Sequence, residues 1–184
     1  MSELQIIIDK AYEAAKSGYW DRLLSDWSHS DVLANRCSRY TKPISSWSFL
    51  HQAAYFGHEE ACRVLISRGA STDGTTHDSR TPGDVAEQRG HHELAAFLRA
   101  ASIGRNTLWA TPLDPDVRPS SNRWSEAKQA VANTELFVAY GGGIVRIPKG
   151  RTFYTDSLSR ILVGWHGTFN PPSDMDGDSM LPAS

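Results

Sequence analysis

The sequence predicts an α+β protein, with paired short helices stacked over residues 1–102 and then a small antiparallel β domain carrying one helix. Three observations lead there. A block of residues recurs at a spacing of 33 within the first hundred positions. Between Ile103 and Ser121 the pattern is broken by Gly104, Pro112, Pro115 and Pro119. From Leu136 onward apolar residues come in short runs bounded by glycine and proline, which is the pattern of strands.

The repeat is read from two segments. Ser48-Phe-Leu-His51-Gln-Ala53-Ala54-Tyr-Phe-Gly57-His58-Glu-Glu60 aligns with Thr81-Pro82-Gly-Asp84-Val-Ala86-Glu-Gln-Arg-Gly90-His91-His-Glu93. Ser48 and Thr81 are placed to cap a helix by accepting a free backbone N–H, and Pro82 suits a first helical turn. Gly57 and Gly90 allow a left-handed turn between the helices of a pair. Ala53, Ala54 and Ala86 are small enough for close helix packing, and Leu50, Leu65, Val85, Leu94 and Leu98 fill the seam between pairs. No such pair buries its own apolar face, so stacking is obligatory.

These residues resemble the T-P-L-H-x-A-x-x-x-G-H pattern of the ankyrin-repeat family, whose period is 33. Gly69-Ala70 matches the family's helix-ending pair, while Gly83 stands where the family usually has Leu and suits a terminal position. A degenerate upstream copy is read from Ala14-Ala15-Lys-Ser-Gly18, which lies 39 residues before Ala53-Ala54-Tyr-Phe-Gly57. The six extra residues are expected as a loop between Asn35 and Ser46. The resemblance implies a short helical solenoid over residues 1–102, with two clear repeats and the degenerate one. It also implies recognition of a protein partner, and framework roles for His51, His58 and His91, so no metal is expected.

Residues 103–120 read as a linker or strap, with Trp109 and Leu113 pinned onto the repeats. Ser120 or Ser121 is expected to cap a helix through about Asn133, presenting Trp124, Ala127 and Val131 on one side. With the strands expected at Leu136–Tyr140, Ile144–Ile147, Arg151–Thr155 and Ile161–Trp165, it forms the domain 121–174. Residues 175–184 read as a flexible tail. Gly141-Gly142-Gly143 reads as a hairpin corner, since no Lys-Ser or Lys-Thr pair follows it to make a phosphate loop. Asp174-x-Asp176-x-Asp178 lacks the closing Glu of a calcium loop.

Composition bounds the function. The chain has 184 residues, 40% hydrophobic and 22% charged, with a net charge of −2. Its basic residues are scattered, so neither nucleic acid nor a membrane surface is an expected partner. No run approaches the roughly 18 apolar residues of a membrane helix, and Met1–Asp9 lacks the basic start of a secretory signal. Two cysteines, Cys37 and Cys62, read as buried thiols of a reducing, cytoplasmic setting. The expected function is protein–protein interaction, as an adaptor or toxin-neutralising protein, with no cofactor and no catalytic residues. The partner surface is expected at the tips between repeats: Arg36, Arg39, Tyr40 and Lys42 on one, Asp73, His77, Asp78 and Arg80 on the next. The alternative is a small enzyme or nucleotide-binding domain in the C-terminal half, with a ligand site at Tyr154, Asp156, Arg160, Trp165 and His166.

Overall fold

The computed structural model describes residues 2–182; Met1 and residues 183–184, the end of the expected tail, lie outside the described residues. The chain divides into two compact units after Ser102, one helical and one of strands, so the protein is α+β.

The first unit is built from α1 (Glu3–Lys16), α2 (Trp20–His29), α3 (Asp31–Arg39), α4 (Phe49–Phe56), α5 (Glu59–Ser67), α6 (Pro82–Gln88) and α7 (His92–Ala101). Pairs α4–α5 and α6–α7 repeat one design. At the start of α4, Ser48 Oγ accepts the His51 N–H and His51 Nδ1 accepts the Ser48 N–H, both at 3.2 Å. At the start of α6, Thr81 Oγ1 accepts the Asp84 N–H at 3.2 Å and Asp84 Oδ2 accepts the Thr81 N–H at 3.0 Å. Each box satisfies two donors that a helix start leaves unpaired. The Thr81 amide and hydroxyl hold the Asp84 carboxyl below its usual range. The pairs are locked where Gly57, at φ 72°, lets the His91 ring approach so closely that a Cβ would lie 2.6 Å from it.

The core runs through Leu50, Leu65, Ile66, Val85 and Leu98 into an aromatic cluster at the N-terminal end. There Tyr12 meets Phe49 edge-on at 5.3 Å and Trp27 meets it at 5.7 Å, geometry that aromatic pairs favour.

The expected loop after Asn35 is corrected by α3. Ser30 Oγ accepts the Leu33 N–H at 3.3 Å, Asp31 opens the first turn, and Ala34, Cys37 and Ser38 turn inward. The extra residues therefore form a helix packed against α1, α2 and α5. What remains of the connection, residues 41–48, is a tight hairpin-like link closed by the bridge between Thr41 and Ser48.

The second unit contains β1 (Ser120–Ser121), β2 (Lys128–Val131), β3 (Leu136–Tyr140), β4 (Gly143–Ile147), β5 (Thr152–Thr155) and β6 (Ile161–Leu162). One sheet has the order β1-β6-β5-β2, and β3 pairs with β4 as a separate hairpin. Gly141 and Gly142 have φ of 58° and 79° at its corner, the conformation a two-residue turn demands. Ala132, Leu136, Val138, Ile147, Phe153, Ile161 and Val163 form the core.

Three expectations for this half are corrected. No α-helix spans 121–133: one 3-10 turn, Trp124–Glu126, precedes β2. Trp124, Ala127 and Val131 have helical spacing, but burial there follows a period of two, with Val131 exposed between Ala130 and the buried Ala132. The sheet is not wholly antiparallel, because β1 runs parallel to β6. The strand at Ile161 ends at Leu162, and Trp165–Gly167 is a 3-10 turn with His166 at φ 69°. Trp109 donates its ring N–H to the Val163 carbonyl at 2.6 Å and meets Tyr140 at 5.9 Å, within this unit, while Leu113 is 92% exposed. At the far end, Asp174 Oδ1 accepts the N–H groups of Asp176 and Asp178 in a closed turn.

Candidate partner-binding groove

A groove of 470 Å³ opens on the helical unit. Helix α1 contributes Tyr12, Glu13 and Lys16, the 41–48 link contributes Lys42, Ser45 and Trp47, and α4 contributes Gln52 and Tyr55. Tyr12 and Lys16 are four residues apart and Gln52 and Tyr55 three, so each pair shares one helical face. The floor is a short relay. Gln52 Nε2 donates to Tyr12 Oη at 3.1 Å, and Tyr12 Oη donates to the Trp47 carbonyl at 3.3 Å. Burial, the largest influence, raises the Tyr12 hydroxyl above its ordinary pKa, so it stays a neutral donor.

Aromatic rings form the wall, and a cation accompanies each. Trp47 and Tyr55 meet at 6.2 Å, inclined by 64°. Lys42 Nζ lies 5.4 Å over the Tyr12 ring, the Arg80 guanidinium 5.6 Å over Trp47, and the Arg89 guanidinium 4.2 Å over Tyr55. Lys42 also pairs with Glu13 at 3.5 Å, and Arg80 with Asp78 at 3.1 Å. Arg80 is positioned from beneath, because His51 Nε2 bonds the Arg80 carbonyl at 3.1 Å while His51 Nδ1 is engaged by Ser48. That pattern puts the ring proton on Nε2. Burial pushes the His51 pKa down to about 4, so the imidazole is neutral.

The residues expected at the two tips are dispersed. Lys42 lines the groove and Arg80 backs it. Arg36 and Arg39 lie on α3, with the half-buried Arg39 donating to the Arg68 carbonyl against Gly69. Tyr40 packs on Tyr12 and Phe49 and donates its hydroxyl to Asp9 at 2.9 Å. Asp73 accepts from the Ser102 hydroxyl, the His77 amide donates to the Ser45 carbonyl, and Asp78 holds Arg80. Tyr12, Lys16, Trp47, Gln52 and Tyr55 are absent from the sequence-derived set. Their signal is present, since Trp47 and Tyr55 flank the capping motif, and Gln52 and Tyr55 are the larger polar-tipped residues on either side of Ala53-Ala54.

The five residues of the alternative site occupy separate settings. Asp156 and Arg160 are both buried and joined by a 2.8 Å ion pair, and Asp156 Oδ1 also accepts the Leu158 and Arg160 amides at 2.9 Å. Tyr154 is half-buried beside Trp124 at 6.0 Å. Trp165 is 66% exposed, and His166 is exposed as well. No group of three or more His, Cys, Asp and Glu among the described residues could hold a metal ion.

Residues 50–102 match the family model described as ankyrin repeats (many copies). Similarity to known proteins falls on a limited stretch. The chain is 33% identical to calmodulin-binding transcription activator 4 of Arabidopsis thaliana over 84 residues, which is 42% of this chain and 8% of that protein. It is 28% identical to calmodulin-binding transcription activator 3 of the same plant over 134 residues, 65% of this chain and 12% of the other. It is 41% identical to the E3 ubiquitin-protein ligase Ufd4 of Drosophila melanogaster over 56 residues, 29% of this chain and 2% of that one. The chain thus spans about an eighth or less of these relatives' lengths.

Proposed function

We propose that the protein is an interaction module whose helical unit captures a protein partner in the groove between α1, the 41–48 link and α4. The observation that carries this reading is the groove itself, where three aromatic rings, Lys16, Lys42 and the Gln52 amide converge, with Arg80 and Arg89 held against Trp47 and Tyr55. Aromatic and basic side chains are the types that dominate binding energy at protein interfaces. The ankyrin match supports the reading from a second side, because that family's implied role is partner recognition. The relatives carry different named activities, a calmodulin-binding transcription activator and a ubiquitin ligase, and similarity confined to a small segment of each suits a shared recognition module.

An adaptor is the form that fits best, toxin neutralisation being one kind of such capture. A cytoplasmic setting belongs to the same reading and is supported by two free, buried thiols, with Cys37 pushed up to about 12 by burial and so kept protonated. Among the described residues no helix is long and apolar enough to cross a membrane. The catalytic alternative has less behind it, since Asp156 and Arg160 are spent on each other.

Affinity capture tests the proposal. The whole chain should retain a protein partner that the Tyr55→Ala, Lys42→Ala double variant retains at least tenfold more weakly, about 1.4 kcal/mol. Equal retention by folded wild type and variant would remove the groove as the site.

A further inference from the structure

The charge around the groove runs against the charge of the chain. Lys16 and Lys42 line it with Glu13, which pairs with Lys42, and just outside the lining Arg80 lies over Trp47, paired with Asp78, and Arg89 over Tyr55. The groove is therefore basic on a protein whose net charge is −2. The placement of the cations matters as much as their number. Lys16 and Lys42 stand in the lining itself, where they are ready-made partners for carboxylates, and Arg80 and Arg89 add positive charge beside it. Lys16, in the lining, and Arg89, over Tyr55, are both exposed. The Gln52 amide, on the floor, adds neutral hydrogen-bonding capacity.

Resting on the interaction reading above, we propose that the groove's occupant is an extended acidic segment of the partner protein. Its carboxylates pair with Lys16, compete with Glu13 for Lys42, and reach past Tyr55 to Arg89. Its backbone follows the polar floor. A single-stranded nucleic acid would also meet the positive charge, but it gains its base-stacking energy from open, parallel ring faces. Here Trp47 and Tyr55 are inclined by 64°, and their neighbouring guanidinium groups take up ring face. A peptide needs only a trough with charges at its edges.

The test is an NMR titration of the whole chain with three probes: acetylated hexaglutamate amide, the matching hexalysine, and a six-nucleotide oligothymidylate. Hexaglutamate should shift the Gln52 side-chain amide and the Tyr55 backbone amide saturably, with affinity falling as salt rises. The Lys16→Glu, Arg89→Glu variant changes two exposed side chains, so it should melt cooperatively like wild type yet bind hexaglutamate at least tenfold more weakly. Absence of groove shifts, or unchanged affinity in that variant, would overturn the acidic segment. Stronger groove binding by hexalysine or by the oligothymidylate would overturn it in favour of a basic or nucleic-acid ligand. If the Tyr55→Ala, Lys42→Ala pair still loses its captured protein while hexaglutamate fails, the groove stands and only the acidic chemistry falls.

Discussion

His51 Nε2 donates to the Arg80 carbonyl at 3.1 Å across 29 residues of chain. One buried imidazole thus caps α4 through Nδ1, ties the first full repeat to the second, and sets the backbone from which Arg80 reaches over Trp47. Fold and groove share this residue.

That link makes stability depend on pH. The His51 pKa is about 4 in the folded chain against an ordinary 6.5, so between those values the unfolded chain binds a proton that the folded chain refuses. Stability is full above about pH 6.5, falls as pH drops toward 4, and levels off below. The loss amounts to roughly 3 kcal/mol at most. Urea denaturation at pH 7.5 and 4.5 should show a larger difference for wild type than for His51→Gln. An equal difference would mean that His51 is not the group responsible.

Gly57 and Gly90 hold matching positions but differ in surroundings. Both have positive φ, 72° and 82°, yet a Cβ at Gly57 would strike the His91 ring at 2.6 Å, while one at Gly90 meets nothing within 4 Å. Gly90→Ala should therefore cost only backbone strain, about 1–2 kcal/mol. Gly57→Ala adds a steric clash and should melt well below it. Coincident melting curves would deny the close approach between repeats.

In the second unit the Asp156–Arg160 pair is structural. Asp156→Ala strands a buried guanidinium and the Leu158 and Arg160 amides, a loss of about 3–5 kcal/mol. Near-ultraviolet circular dichroism should show loss of Trp109 and Trp124 packing in the variant at temperatures where wild type is folded. A mild effect, of the size seen at exposed residues, would return Arg160 to the pool of ligand-binding groups.

Tyr40 illustrates what the sequence hid. Beside Arg39 and Lys42 it has the composition of an interface, but its ring lies 5.3 Å from Tyr12 and 5.9 Å from Phe49, and its hydroxyl is held by Asp9. Tyr40→Ala should lower the melting temperature, with about 1–3 kcal/mol lost; an unchanged melt would make the ring dispensable to the core.

The repeat was legible because its capping and turn residues are local, so Ser48, Thr81, Gly57 and Gly90 announce themselves by spacing. Helix α3 was less so: its signal is one cap, Ser30, and a short inward face, next to serines and a proline that look like loop. Trp124, Ala127 and Val131 mislead in the opposite direction, since helical spacing over so few residues is overridden by pairing of β2 with β5. The groove was invisible for a topological reason. Tyr12 and Gln52 are 40 residues apart, and only the stacking of α1 on α4 brings them within 3.1 Å.

The central claim is that the groove receives the partner, and site-specific photo-cross-linking tests it most directly. A benzoylphenylalanine at position 55, on the groove wall, and another at position 63, exposed on α5 away from it, are compared in the whole chain with the captured protein. Cross-linking at 55 and little at 63 is the expected result. Cross-linking at 63 with none at 55 would place the partner on another face and contradict the claim.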